Sequence, residues 1–335
     1  MSEKDVVLDV QDLTVYYELE EETVKAVNGI NLQLRKGQTL GLVGETGAGK
    51  TTTALAMLNL IPNPPGVIKS GSISVCGYDM FSQTPLQLEK IRGNEISMIF
   101  QDPMTSLNPV FTVGQQIAEG IELHEDVTKA EAEQKAIEML ELVGIPGSRA
   151  GEYPHQFSGG MKQRVVIAIA LSCNPKVLIA DEPTTALDVT IQAQVLDLMN
   201  NLQEQYGTAL VMITHDLGIV AETCDEVAVM YAGKIVEKGP LKDVFTNTKH
   251  PYTEGLFGSL PDITNRKNEL RPIPGLMPDP TRLPPGCSFA PRCQYATQAC
   301  GEKEPAFRQF GENHFVACSA YDEPSFHIQW RGKHE

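Results

Sequence analysis

Gly44-Glu45-Thr46-Gly47-Ala48-Gly49-Lys50-Thr51 fits the pattern G-x-x-x-x-G-K-[ST]. Glycines at this spacing let successive backbone N–H groups turn inward and cradle phosphate oxygens. Lys50 then reaches the β- and γ-phosphates, and the Thr51 hydroxyl is offered to Mg²⁺. The flanks agree. Thr39-Leu40-Gly41-Leu42-Val43 is a short apolar run that predicts a buried strand, and Thr51 to Leu60, halted by Pro62, predicts a helix. Strand, Gly-rich turn and helix N-terminus together make an anion site. Gly44, Glu45, Thr46, Gly47, Ala48, Gly49, Lys50, Thr51 and Thr52 are therefore the candidate ATP contacts.

Val177-Leu178-Ile179-Ala180-Asp181-Glu182 supplies a second element. Four apolar residues predict a buried strand, and two carboxylates follow at its C-terminal end, where α/β proteins bind ligands. Asp181 would hold Mg²⁺, directly or through water, and Glu182 would polarise an attacking water as general base. An N-capping acidic pair is the alternative, and the phosphate loop in the same chain argues against it. Ile96 to Phe100 and Leu210 to Ile213 predict further buried strands. Ala130 to Val143 and Gln192 to Gln205 predict helices, and Val227 to Tyr231 with Lys234 to Val236 a hairpin. The first forty residues instead alternate apolar and polar through Val7, Leu8, Val10, Leu13, Val15, Tyr17, Ile30, Leu32 and Leu34, the pattern of antiparallel strands with one buried face. The class is α/β: a mostly parallel core sheet with an N-terminal antiparallel β subdomain.

The chain has 335 residues and a formal net charge of −16, which disfavours nucleic acid and anionic lipid as main ligands. No stretch reaches the roughly 18 uninterrupted apolar residues of a spanning helix, and Met1-Ser2-Glu3-Lys4-Asp5 lacks an apolar leader core. The expectation is a peripheral protein at the cytoplasmic face of the cell membrane, bound there through an integral partner.

Four further segments narrow the class. Phe157-Ser158-Gly159-Gly160-Met161-Lys162-Gln163-Arg164 resembles the signature of ABC ATPases, with Phe157 in place of Leu and Met161 in place of Gln. Pro183-Thr184-Thr185-Ala186-Leu187-Asp188 resembles their D-loop, Gln101 matches the Q-loop, and His215 in Ile213-Thr214-His215-Asp216 matches the switch histidine. All stand in the family's order, over roughly residues 5 to 245. The resemblance implies Glu182, His215 and Gln101 as catalytic residues, and Thr51, Gln101 and Asp181 around Mg²⁺. It implies Ser158, Gly159, Gly160 and Met161 on a partner's ATP, Ala186, Leu187 and Asp188 as the D-loop, and Tyr17 as the adenine stacker. It also implies a helical subdomain at about 103–165, carrying Phe111, Val113 and Ile117, that receives a permease. A non-transport ABC protein of DNA repair or translation is the rival of another class. The repair type needs a long coiled-coil insertion and the translation type two cassettes, and this sequence has neither.

The texture changes after Phe245, and Pro272 to Pro285 holds six prolines, which excludes regular helix or central strand. The expected division is a nucleotide-binding domain at 1–245 and an extension at 246–335. Lys249-His250-Pro251-Tyr252-Thr253 with Leu256 and Leu260-Pro261, Cys287-Ser288-Phe289-Ala290-Pro291-Arg292-Cys293, and His314-Phe315-Val316-Ala317-Cys318 resemble the extension of the oligopeptide/dipeptide transporter ATPases. Nickel importers of the same group share much of this wording. The resemblance implies a second, different ATPase subunit, two permeases and an extracytoplasmic binding protein. Cys287, Cys293, Cys300 and Cys318 are spaced C-x5-C-x6-C-x17-C. A [4Fe–4S] cluster, a zinc ion or free thiols are all compatible with four sulfurs. The short C-x2–4-C pairs usual for zinc are absent, and the resemblance to the peptide group implies the cluster.

Overall fold

The computed structural model describes residues 5–185, 187–259 and 272–328. Ala186 of the D-loop and Leu260-Pro261 lie outside the described residues.

The chain begins with β1 (Val6–Glu18), β2 (Thr23–Arg35), β3 (Thr39–Val43), α1 (Lys50–Met57), β4 (Gly66–Val75) and β5 (Tyr78–Asp79). Alternation in β1 and β2 buries Leu8, Val10, Leu13 and Val15 opposite Val27, Ile30, Leu32 and Leu34. The result is a four-stranded antiparallel sheet in the order β2-β1-β4-β5. Helix α1 stops at Met57, short of the expected Leu60, because Asn59 takes φ 52° and turns the chain away before Pro62 is reached.

Next come α2 (Pro85–Ile91), β6 (Ile96–Ile99), α3 (Pro103–Ser106), α4 (Val113–His124), α5 (Lys129–Leu142) and α6 (Gly159–Leu171). Thr112 with Gln115 and Thr128 with Glu131 form capping boxes that fix the starts of α4 and α5. These two helices and α6 share a core through Ile117, Ile121, Ala136, Leu140 and Val165. Then follow β7 (Val177–Asp181), α7 (Val189–Tyr206), β8 (Ala209–Ile213), α8 (Leu217–Thr223), β9 (Glu226–Tyr231), β10 (Lys234–Pro240), α9 (Leu241–Thr246), α10 (Pro251–Gly258), α11 (Gln298–Glu302), β11 (Phe307–Phe310) and β12 (His314–Ala317).

The second sheet runs β11-β12-β10-β9-β3-β8-β7-β6. Its strands β9, β3, β8, β7 and β6 are mutually parallel, so their C-terminal ends share one edge. Both faces are covered, as a parallel sheet requires. Val177 and Ile179 enter one core with Val211 and Ile213, while Leu178 and Ala180 enter the other with Leu210 and Met212. Each such Val, Leu, Ile or Met side chain contributes about 1.5–3 kcal/mol by leaving water. Strand β12 pairs antiparallel with β10, so the hairpin near the chain's end extends the core sheet. No helix among the described residues is long and apolar enough to cross a membrane.

Candidate functional site

The shared C-terminal edge gathers the expected residues. The phosphate loop leaves β3, Gln101 follows β6, Asp181 ends β7 with Glu182 next, and His215 follows β8. The loop's backbone is one that only glycine adopts at two points. Gly44 has φ 151°, and a Cβ there would lie 2.1 Å from the Met230 carbonyl oxygen. Gly49 has φ 103°, and its Cβ would lie 2.3 Å from the Ala26 carbonyl oxygen. Lys50 is buried, and its Nζ donates to the Gly44 and Glu45 carbonyls at 2.8 and 3.1 Å. Burial holds its pKa below the ordinary lysine value, although Glu182, Asp181 and Glu45 act the other way.

Thr51 Oγ1 donates to Asp181 Oδ2 across 2.8 Å, which joins the two motifs. Burial raises the Asp181 pKa, opposed by the Thr51 hydrogen bond and helped by the neighbouring Glu182. The Thr51 hydroxyl and the Asp181 carboxylate are hard oxygen donors that suit Mg²⁺, which would relieve the crowding of negative charge beside Glu182.

Glu182 has φ 49°, unusual for a residue with a side chain. Its carboxylate accepts from Gln101 Nε2 at 3.0 Å and Thr185 Oγ1 at 2.9 Å, with His215 Nδ1 at 3.2 Å. Burial raises its pKa, but the hydrogen bonds from Thr185, His215 and Gln101 outweigh that and hold the carboxyl below its ordinary value. It is thus ionised at neutral pH, the state a base requires. Sequence reasoning passed over Thr185, whose position three residues after Glu182 was the available signal. Tyr17 Oη and Thr52 Oγ1 are 3.4 Å apart, which brings that ring beside the start of α1.

Ser158 caps α6, its Oγ accepting from the Met161 N–H. The two departures in the signature meet one residue: Arg149 stacks on the Phe157 ring at 4.3 Å and approaches Met161 Sδ at 3.3 Å. A Cβ on Gly159 would meet open space, whereas one on Gly160 would strike Ile191 at 2.6 Å. Asp188 caps α7 through the Ile191 N–H, and Leu187 N–H donates to the Thr184 carbonyl at 3.2 Å.

Cys287, Cys293, Cys300 and Cys318 line one pocket together with His250, Phe289 and Tyr295. The thiols are uncrosslinked. Burial pushes Cys293 up to about 12 and Cys318 up to about 11, and Cys287 also upward. Among the described residues no group of three or more His, Cys, Asp or Glu side chains is arranged to hold a metal ion. The pocket therefore brings the four residues around one space.

Comparison with known proteins follows the same lines. A family model described as ABC transporter matches residues 27–185, and one described as the C-terminal region of oligopeptide/dipeptide transporters matches residues 236–300. The oligopeptide transport ATP-binding protein AppD of Bacillus subtilis (strain 168) is 50% identical over 320 residues, covering 94% of this chain and 97% of that protein. The oligopeptide transport ATP-binding protein OppD of the same organism is 50% identical over 312 residues, covering 92% and 87%. Among solved structures, the dimeric post-hydrolysis state of the ATP-binding cassette MJ0796 bound to ADP and Pi matches with TM-score 0.63 and 26% identity, covering 70% of this chain and 98% of that one.

Proposed function

The chain belongs to the ABC transporter ATP-binding family, in its oligopeptide/dipeptide branch, and from that premise we propose how its residues divide the work of a peptide importer. It is an ATPase subunit that powers peptide import from the cytoplasmic face of the membrane. The observation that carries the site assignment is the Thr51–Asp181 hydrogen bond of 2.8 Å, which puts phosphate loop and acidic strand end against each other. Gly44 to Thr52 grip the triphosphate and Tyr17 stacks on the adenine. Thr51, Gln101 and Asp181 would hold Mg²⁺, which would neutralise charge on the phosphate oxygens. Glu182 orients and deprotonates the attacking water, with Gln101, Thr185 and His215 aiming its carboxylate. His215 also faces the γ-phosphate.

Ser158, Gly159, Gly160 and Met161 serve the ATP of a second subunit. The open space beside Gly159 supports this, because nothing among the described residues excludes a side chain there. The N-terminus of α6 offers N–H groups and a positive dipole end to phosphate. Leu187 and Asp188 lie in the same interface. ATP bridging two subunits favours the closed pair, and hydrolysis removes the bridge. The dimeric relative bound to ADP and Pi supports this arrangement, and the partner we propose is a second, different ATPase subunit.

Val110 and Phe111, 72% and 48% exposed, stand out on the helical subdomain at about 103–165. They suit a permease docking surface, with Gln101 linking it to the site. Two permeases, fed by an extracytoplasmic binding protein, complete the complex. The division into 1–245 and 246–335 marks motor and extension.

Cys287, Cys293, Cys300 and Cys318 would hold a [4Fe–4S] cluster. Four thiols around one pocket with apolar walls fit the donor chemistry, and a cluster would cross-link a proline-rich segment with little core of its own. Iron and sulfide analysis of anaerobically purified protein tests this; neither element bound removes the cluster. For the motor, the test is peptide-stimulated ATP hydrolysis by the reconstituted complex, where stimulation surviving the loss of Glu182 would refute the assignment.

A further inference from the structure

Glu45 is held at each of its polar groups, and two of the three holds come from the C-terminal extension. Its carboxylate takes a two-pronged ion pair from Arg292, Nη1 to Oε2 at 2.9 Å and Nη2 to Oε1 at 3.2 Å. Its N–H donates to Tyr252 Oη at 2.9 Å. Its carbonyl accepts from Lys50 Nζ at 3.1 Å. The Arg292 side chain is only 6% exposed and is fixed on its other sides, by the Pro274 carbonyl at 2.9 Å and Tyr231 Oη at 3.3 Å. Tyr231, Tyr252 and Phe289 pack ring to ring behind it. The extension touches the loop again at Gly47, where an added Cβ would stand 3.0 Å from Met277 Cε. It also touches β2, where Lys25 N–H donates to the Pro280 carbonyl.

A loop that binds phosphate through backbone amides must hold its conformation closely before the ligand arrives. It must also keep its own carboxylate from repelling the triphosphate. The arginine fork does both: it fixes the Glu45 side chain and neutralises it at a site where the buried guanidinium has no other carboxylate partner among the described residues. We propose that Arg292 is a positioning residue for the phosphate loop, acting through Glu45, so that ATP binding and docking of residues 272–300 are linked. The inference rests on the reading that Gly44 to Thr51 bind ATP.

The test measures ATP affinity, KM and kcat of the full chain in its assembled transporter for wild type, R292A, R292K, E45Q and R292A/E45Q, with K50A as the non-binding control. R292A leaves an unpaired carboxylate on the loop, so Kd and KM rise about tenfold while kcat changes little. R292K restores the charge without the fork and recovers part of the loss. R292A/E45Q binds ATP more tightly than R292A, because the repelling charge has gone with its partner. Linkage is reciprocal, so ATP slows hydrogen exchange at amides 287–300 in wild type and loses that effect in R292A. Wild-type affinity in R292A, or additive losses in the double variant, overturns the proposal while K50A still reports on the loop. Absence of ATP binding by wild type overturns the loop reading and this one with it. Should R292A fail to fold, R292K decides, and wild-type KM together with wild-type exchange in that variant overturns the proposal.

Discussion

Gln101 Nε2 donates to the Glu182 carboxylate across 3.0 Å, tying the end of β6 to the end of β7. With Thr185 and His215 on the same carboxylate, the group is aimed and kept ionised before any nucleotide arrives. Glu182→Gln keeps the shape and removes the proposed base. Hydrolysis should fall by about 10²–10⁴ while ATP binding persists. Single-turnover phosphate release measures the first, and nucleotide-dependent pairing with the second subunit the other. Normal turnover in this variant would remove Glu182 from the chemistry.

Asp181 and Glu182 crowd negative charge at the end of β7, and burial raises the Asp181 pKa. Asp181→Asn should therefore stabilise the nucleotide-free chain, by roughly 0.5–2 kcal/mol, while weakening its response to Mg²⁺. Denaturant unfolding of the free chain and Mg²⁺ titration of ATPase activity check the two halves. A loss of stability would show that the carboxylate is needed for folding.

The motor was legible because its parts are short contiguous segments whose geometry is local. Gly44 to Thr51 dictate their own turn, and Val177 to Glu182 carry strand and carboxylates together. The resemblance then assigned Gln101 and His215, and the parallel strands bring both to one edge. What stayed hidden depends on distant pairing. Arg292 meets Glu45 across 247 positions, and nothing in either segment announces the other. Strands β11 and β12 have four residues each, and the first is largely exposed, so no apolar alternation marked them. Helix α1 ended early because the left-handed turn at Asn59 is invisible to a pattern that continues through Leu58 and Leu60.

Gly159 stands at the first turn of α6 with open space where a Cβ would go. Gly159→Ala should fold as well as wild type, with stability unchanged or raised by up to about 1 kcal/mol. If a partner's triphosphate seats against this turn, the added methyl displaces it, and ATPase activity of the assembled complex should fall about a hundredfold. Thermal unfolding of the isolated chain and turnover of the complex separate the two. Full activity would mean that no nucleotide approaches Gly159.

His250 sets a pH limit on the fold. Its ring is buried, its Nδ1 accepts from the Tyr252 N–H at 3.0 Å, and its backbone N–H donates to the Glu237 carboxylate at 3.0 Å. Burial pushes its pKa from 6.5 down to about 3, against the hydrogen bond to Ala317. Below pH 6.5 the unfolded chain therefore binds a proton at His250 that the folded chain refuses. Stability from this residue is complete above pH 6.5 and declines as pH falls toward 3, by about 1.4 kcal/mol per pH unit. Urea unfolding between pH 8 and pH 5 should show the decline beginning near 6.5, and His250→Gln, which cannot titrate, should flatten it. An unchanged slope in that variant would place the acid sensitivity elsewhere, and a stability that rises on acidification would contradict a neutral buried imidazole.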